Sequence, residues 1–255
     1  MATSTPKLAL ITGASRGLGR SMALHLAERG VDVVGTYRAN AGEAAEVARQ
    51  VEARGRRAAM LQLDVARSDT FAAFAEALAA ALRDRFGRDR FDYLVNNAGS
   101  GYTASVADTT EAGFDAMVNE HLKGPFFLTQ RLLPLLADGG RVLNVSSGLT
   151  RITFPGRAAY ASVKAAVETF TRYLAKELGP RGIRINVIAP GAIATDFAGG
   201  AVRDTPEVNR AIAGMTALGR VGEAEDVGPA VAALLSDDLG WMTGVRVEVS
   251  GGQGV

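Results

Sequence analysis

Seven short runs of β-branched and apolar residues recur along the chain: LALIT (8–12), VDVVGTY (31–37), RAAMLQLDV (57–65), FDYLVNN (91–97), RVLNVSS (141–147), IRINVIAP (183–190) and VRVEVSGG (245–252). Between them lie longer Ala-, Leu-, Arg- and Glu-rich segments with apolar residues at three- and four-residue spacing. The short runs read as strands and the longer segments as amphipathic helices. Regular alternation of this kind implies right-handed crossovers and a parallel sheet covered on both faces. The expected fold class is α/β: one doubly wound domain over residues 1–255, with a seven-stranded, mostly parallel sheet and helices on both sides.

A chain of 255 residues is long enough for one such domain, and no repeat, heptad array or Pro/Ser-rich linker divides it. The alanine-rich FAAFAEALAAALRDRF (71–86) places Phe71, Phe74, Leu78 and Leu82 on one side and its charges on another, as a surface helix does. Residues 191–222, with their glycines and Pro206, are the least regular part and are expected to form a lid over the substrate. Lys plus Arg total 28 against 27 Asp plus Glu, so a net charge of +1 gives no field for steering toward nucleic acid or anionic membrane. The absence of cysteine excludes disulfides, thiolate zinc sites and a cysteine nucleophile, and no metal is expected. MATSTPK has no signal-peptide pattern, and the apolar runs fall short of the roughly 18 residues that a membrane helix needs. A soluble, cytoplasmic protein with no nucleic-acid or membrane partner is the expectation.

The first strand runs directly into TGASRGLG, Thr12 to Gly19, and then into a helical pattern. Glycines permit a tight turn and close backbone approach, and the helix N-terminus offers unpaired N–H groups to a pyrophosphate. That reads as a Rossmann-type dinucleotide site, with plain turn chemistry as the alternative, and Gly13, Gly17 and Gly19 have the spacing Gly-x-x-x-Gly-x-Gly instead of the commoner Gly-x-Gly-x-x-Gly. The end of the second strand reads GTYRAN, with Tyr37 and Arg38 and no carboxylate to bond a ribose diol. Arg16, inside the glycine turn, approaches the same place from the other side. Two guanidiniums around a 2′-phosphate favour NADP(H), with NAD(H) possible; solvated surface charges are the plain alternative.

YASVK sets Tyr160 and Lys164 on one face of a helix, four residues apart. Thirteen residues upstream, Ser147 ends the fifth strand, on the edge of the sheet where ligands bind in such folds. Its neighbour Ser146 points to the opposite face. With TGxxxGxG, Asp64 in LDV, NNAG (96–99), Ser147 and YASVK, Pro190–Gly191 and the terminal Gly251–Gly252, the chain resembles the short-chain dehydrogenase/reductase family over nearly its whole length.

That resemblance implies hydride transfer between a nicotinamide cofactor and a carbonyl or alcohol. Tyr160 would be the acid/base, Lys164 its electrostatic partner and ribose clamp, and Ser147 the donor to the substrate oxygen. A free phenol has a pKa of about 10, and bringing it into the neutral range requires about 4 kcal/mol, expected from Lys164 and the nicotinamide charge. Cofactor contacts are expected from Gly13, Ser15, Arg16, Gly17, Leu18, Gly19, Tyr37, Arg38, Asp64, Val65, Asn97, Ala98, Gly99, Tyr160, Lys164, Pro190, Gly191, Ile193 and Thr195. From the residues alone, Asp64 reads equally as a cap on the turn after its strand, and the asparagine pair as a brace for strand ends.

The substrate pocket is expected to involve Ser100 to Tyr102, Gly148, Leu149, Phe154 and the lid from Phe197 to Met215. Mostly small or apolar, these suit a neutral ketone, aldehyde or alcohol; Arg151 or Arg203 is the candidate for an anionic group. Alternatives are a 3-oxoacyl thioester reductase and, in another class, a non-catalytic NADP(H)-binding sensor or scaffold. Family resemblance further implies a homotetramer or dimer joined by helices 111–136 and 158–178 and the C-terminal strand, with Leu132, Leu133, Leu135 and Leu136 as interface or core.

VNEHLKGPFF (118–127) departs from the family pattern. Anchored on Phe114 and Phe126, the position at which most members carry a fourth catalytic asparagine holds His121. Asn119, two residues away, is turned by about 200° on an α-helix and reads as structural. His121 is the fourth catalytic candidate, supplying a main-chain carbonyl to a proton-relay water or a ring behind the site.

Overall fold

The computed structural model describes residues 5–255. In chain order the elements are β1 (Leu8–Ile11), α1 (Gly17–Glu28), β2 (Asp32–Tyr37), α2 (Ala41–Glu52), β3 (Ala58–Gln62), α3 (Phe71–Phe86), β4 (Phe91–Asn96), α4 (Glu111–Val118), α5 (Gly124–Leu132), β5 (Leu136–Val145), α6 (Ala158–Leu178), β6 (Arg184–Pro190), α7 (Ala201–Asp204), α8 (Pro206–Gly214), α9 (Ala224–Leu234) and β7 (Arg246–Val249). The seven strands pair in the order β3-β2-β1-β4-β5-β6-β7, and every neighbouring pair is parallel. The expectation of a mostly parallel sheet is thus met by a wholly parallel one.

Strand periodicity explains two cores. Leu8 and Leu10 of β1 join α3, α5 and α6 on one face, while Ala9 and Ile11 join α1, α2 and α9 on the other. Phe71, Phe74, Leu78 and Leu82 form the buried stripe of α3, joined by Phe86. A strand buried on both sides needs apolar residues at every position, which is why these runs do not alternate.

Two expected boundaries move. The helix predicted over 111–136 is α4, a π-helical turn at Asn119–Lys123, and α5, and it ends at Leu132. β5 begins at Leu136, five residues before the predicted start, with a register shift against β4 between Phe91 and Tyr93. Leu132 and Leu136 are fully buried and Leu133 and Leu135, partly buried, pack against the same cluster, so these leucines belong to the core. No helix among the described residues is long and apolar enough to cross a membrane.

Order reverses between β1 and β4: β2 and β3 extend to one side, β4 to β7 to the other. Beyond the C-terminal ends of strands at such a switch point the connecting loops part and leave a crevice. The glycine turn after β1, the NNAG segment after β4 and Ser147 after β5 all emerge there.

Candidate active site

The glycine turn is held from three sides. Gly13 N donates to Thr36 Oγ1 at 3.1 Å and Ala14 N to the Thr36 carbonyl at 2.8 Å, which ties the turn to the end of β2. Asn97 Nδ2 donates to the Thr12 and Gly13 carbonyls at 2.9 and 3.2 Å. A Cβ on Gly19 would stand 2.1 Å from the Gly13 carbonyl oxygen, so only glycine lets α1 start this close to the turn. Gly13 also has φ +67°, in the left-handed region that favours glycine. Ser15, Arg16, Gly17 and Leu18 complete the passage into α1, whose first amides lack intrahelical partners. Thr195 Cβ lies 3.7 Å from the Cβ position of Gly17, bringing the segment after β6 beside the turn.

Arg16 and Arg38 are both exposed, and among the described residues neither guanidinium makes an ion pair or hydrogen bond. Tyr37 and Arg38 close β2, and no acidic side chain stands at residues 37–40. A cradle that a Cβ would fill, a helix N-terminus and two uncommitted guanidiniums fit a phosphorylated dinucleotide. Asp64 Oδ1 accepts from Ala66 N at 3.0 Å, as a turn cap does. Asn96 Nδ2 reaches Thr129 Oγ1 and Asn144 Oδ1 at 3.1 and 2.8 Å, so the asparagine pair braces strand ends. The Val65 carbonyl packs against Gly124, Gly191 N donates to the Val249 carbonyl at 3.0 Å, and Ile193 forms a bridge with Gly222. Pro190 is the last residue of β6.

The chemical end lies on β5 and α6. Tyr160 and Lys164 are both buried on α6, and Ser147 follows β5 in extended conformation, its Oγ accepting from Leu149 N at 3.2 Å. Lys164 Nζ donates to the Val145 carbonyl at 2.8 Å and stands 5.7 Å from the centre of the Tyr160 ring. Burial pushes the Tyr160 phenol well above its ordinary range, while the nearby Ser147 hydroxyl and the charge of Arg157 oppose that rise. Among the protein's own groups desolvation dominates, because a phenolate shut away from water loses more than the neighbouring hydroxyl and guanidinium return; the depression expected from Lys164 together with the nicotinamide charge concerns the cofactor-bound site. Burial also lowers Lys164 to about 8, with Glu120 acting the other way.

His121 sits behind this pair. Its ring meets Tyr160 edge-on at 5.2 Å, with Nε2 2.8 Å from the Ser100 carbonyl. A carbonyl only accepts, so Nε2 carries the hydrogen. Nδ1 is buried without a partner. Burial and then the Lys164 charge hold the imidazole at about 3, which keeps it neutral at any working pH. The π turn lies over the residues where the sequence departs from the family, yet it is His121 and not Asn119 that faces Tyr160. Pro125 has no N–H, so the His121 carbonyl four residues earlier lacks its usual α-helical donor.

Phe197 faces Tyr160 from the opposite side at 6.0 Å between ring centres, and Tyr102 and Leu149 pack against the small cluster of Met117, Tyr160 and Val163. Gly101 lies under this wall, where a Cβ would be 2.9 Å from Ala198 Cβ and 3.2 Å from the Phe197 ring. Gly148 is buried in the turn after Ser147, and no contact assigns Phe154 to the wall. The two arginines weighed for an anionic substrate are both engaged: Arg151 with Glu248 and the Gly254 and Gln253 carbonyls, Arg203 with Asp196 and Asp204. Sequence reasoning gave Glu120 and Glu168 no role, although Glu120 bonds Ser100 Oγ and stands 3.6 Å from His121 Nε2.

The chain is similar to known proteins over nearly its whole length. Residues 13–253 match the family model described as enoyl-(acyl carrier protein) reductase. An NADPH-dependent aldehyde reductase-like chloroplastic protein of Arabidopsis thaliana is 37% identical over 260 residues, covering 96% of this chain and 93% of that protein. A tetrahydroxynaphthalene reductase of Pestalotiopsis fici, PfmaG, is 34% identical over 258 residues, with 96% and 91% covered. The crystal structure of the angucycline C-6 ketoreductase LanV with bound NADP superposes with TM-score 0.92 at 38% identity, covering 97% of this chain and 95% of that one. The chain belongs to the short-chain dehydrogenase/reductase family and is an oxidoreductase.

Proposed function

We propose that the protein uses NADPH to reduce the carbonyl of a largely apolar, planar substrate, with aromatic ketones first among candidates. The observation that carries this is that Lys164 and Tyr160 of α6 stand against the end of β5 that leads into Ser147, at the same end of the sheet from which the glycine turn emerges, with the Phe197 ring 6.0 Å from that of Tyr160. The NADPH-dependent reductase, the tetrahydroxynaphthalene reductase and the NADP-bound ketoreductase among its relatives support cofactor and substrate class together.

Gly13, Ser15, Gly17, Leu18 and Gly19 hold the pyrophosphate, and Arg16 and Arg38 the 2′-phosphate, with Tyr37 beside them. Asp64 and Val65 border the adenine, and Asn97, Ala98 and Gly99 the central ribose. Lys164 binds the nicotinamide ribose, and Pro190, Gly191, Ile193 and Thr195 orient the nicotinamide. The bound cofactor supplies the hydride. Ser147 donates to the substrate oxygen as negative charge gathers there, and Tyr160 gives that oxygen its proton. A phenol raised by burial is fully protonated at neutral pH and suited to this direction. Residues 191–222 close over the substrate, and Phe197 with Tyr102 sandwiches a flat ring system.

His121 serves through its main-chain carbonyl, which Pro125 leaves without an α-helical donor, and His121→Asn is expected to keep kcat within about threefold. Collapse of turnover with NADPH binding intact would assign the work to the imidazole.

The protein acts in the cytoplasm as a homodimer or homotetramer. The exposed aromatic face of α4 to α6, made by Phe114, Phe126, Phe127 and Tyr173, is the surface that association would cover. Light scattering is expected to give a mass of at least two chains; a monomer at assay concentration would overturn the oligomer.

Incubation with NADPH and a panel of tetralones, aliphatic ketones, aldehydes and a 3-oxoacyl thioester, followed by loss of reduced-nicotinamide absorbance, tests the activity. Preference for the tetralone is expected. Turnover of the thioester alone would make this an acyl-chain reductase, and NADPH binding without turnover of any member a sensor.

A further inference from the structure

Glu168 lies four residues beyond Lys164 and eight beyond Tyr160, on the same stripe of α6. Its Oε1 accepts from Ser146 Oγ at 2.7 Å, Thr150 Oγ1 at 2.8 Å and Arg246 Nε at 2.9 Å. Ser146 and Thr150 flank Ser147. Arg246 extends across the same turn, reaching Thr150 Oγ1 at 3.2 Å and the Ser147 carbonyl at 3.4 Å. Its other side is held by Glu248 at 2.9 Å. One carboxylate oxygen on the helix that carries Tyr160 thus grips both ends of the segment that carries Ser147.

We infer that Glu168 is a positioning residue, with Arg246 as its counter-charge, that fixes the Ser147 hydroxyl relative to the Tyr160 phenol. The physical argument is geometric. Ser147 follows a strand, where the sheet no longer holds the backbone, and the short turn at Gly148–Thr150 after it is held by local neutral bonds: Leu149 N to Ser147 Oγ, Thr150 N to the Ser147 carbonyl and Arg151 N to the Gly148 carbonyl. A charge-assisted acceptor with three donors is stiffer than the neutral contacts available to such a turn. The Glu168 side chain is 14% exposed and the Arg246 side chain 24%, so water replaces the carboxylate poorly, and its removal leaves Ser146 only the more distant Lys164 carbonyl, Thr150 only the Ser147 carbonyl, and the Arg246 Nε without its acceptor. Ser146, turned away from the substrate, acquires a purpose: it is the near anchor of the clamp. The inference rests on the reading of Ser147 and Tyr160 as partners in carbonyl reduction.

The test compares Glu168→Ala, Glu168→Gln, Ser147→Ala and the Ser147→Ala/Glu168→Ala double variant. Readouts are kcat, the NADPH Kd from cofactor fluorescence, and the pH dependence of kcat/KM. Glu168→Ala is expected to lower kcat about 10- to 100-fold, the effect of a misplacement near 1 Å, with the NADPH Kd within about twofold of the parent. The basic limb of its pH profile should stay at the parent's Lys164 value, because the substitution moves the Ser147 hydroxyl and leaves the Lys164 bond to the Val145 carbonyl in place. Glu168→Gln, whose amide oxygen still accepts, should recover most of the rate. The double variant should be no slower than Ser147→Ala, since both changes remove one interaction. Full turnover in Glu168→Ala overturns the inference, as do multiplicative losses in the double variant or a loss of NADPH binding equal to the loss of kcat. Full turnover in Ser147→Ala would instead overturn the underlying reading of Ser147, and the clamp's role with it.

Discussion

Tyr160→Phe is expected to lower kcat for carbonyl reduction by about a thousandfold, equivalent to about 4 kcal/mol of barrier, while changing the NADPH Kd by less than about twofold. The separation follows from what the hydroxyl touches. The ring is packed edge-on against His121 at 5.2 Å and faces Phe197 at 6.0 Å, and phenylalanine keeps both contacts. Only the proton donor to the nascent alkoxide goes. Steady-state rates beside cofactor fluorescence titration check this. A variant with more than about a tenth of parental turnover would remove Tyr160 from the acid role.

The same arrangement sets a pH dependence. Burial lowers Lys164 to about 8, so its ammonium charge is present below that value and is lost as pH rises through it. The phenol, raised by burial, stays protonated throughout, and the His121 imidazole at about 3 stays neutral. The kcat of reduction should therefore be flat between about pH 6 and 7 and fall as pH rises through the Lys164 value, with no acid limb from His121. Rate profiles of the parent and of Lys164→Met check the assignment, because the basic limb should vanish with the ammonium group.

Local pattern explains how much of this was legible in the chain. β1, β2, β4 and β6 lie within one or two residues of their predicted positions, because a strand buried on both faces announces itself as an unbroken apolar run. Tyr160 and Lys164 were legible for the parallel reason that four-residue spacing on a helix fixes a shared face. The early start of β5 was hidden because Ala137, Asp138, Gly139 and Gly140 look like a turn; tertiary pairing with β4, through a register shift, recruits Leu136 to the sheet. The π turn was hidden because Asn119 to Lys123 has no local breaker, although Pro125 just after it was a clue. Arg151 looked available to an anion because its partner Glu248 lies 97 positions away, a separation at which sequence periodicity carries no information. Glu168 is the instructive miss. Its spacing from Tyr160 and Lys164 was readable, but what it grips depends on where β5 and β7 meet α6.

Arg38→Asp is expected to reduce the ratio of kcat/KM for NADPH to that for NADH by about 100-fold or more. One charge-assisted hydrogen bond to a 2′-phosphate is worth about 1.5–3 kcal/mol, or roughly 10- to 150-fold, and a carboxylate in its place adds repulsion toward the phosphate and a partner for the ribose diol of NADH. The effect should appear undiluted because Arg38 is exposed at the end of β2 and has no ion-pair partner among the described residues, so removing it breaks nothing else. Arg16, inside the glycine turn, is equally exposed and uncommitted among the described residues, so a single substitution is expected to leave residual NADPH preference and Arg16→Ala/Arg38→Asp to erase it. Two exposed guanidiniums acting on one dianion are also expected to make the discrimination salt-sensitive, stronger in dilute buffer than at high ionic strength. Initial rates with each cofactor at two salt concentrations measure all three expectations. An unchanged ratio in Arg38→Asp would return both arginines to the solvated surface and leave the phosphate preference to the turn and the α1 N-terminus.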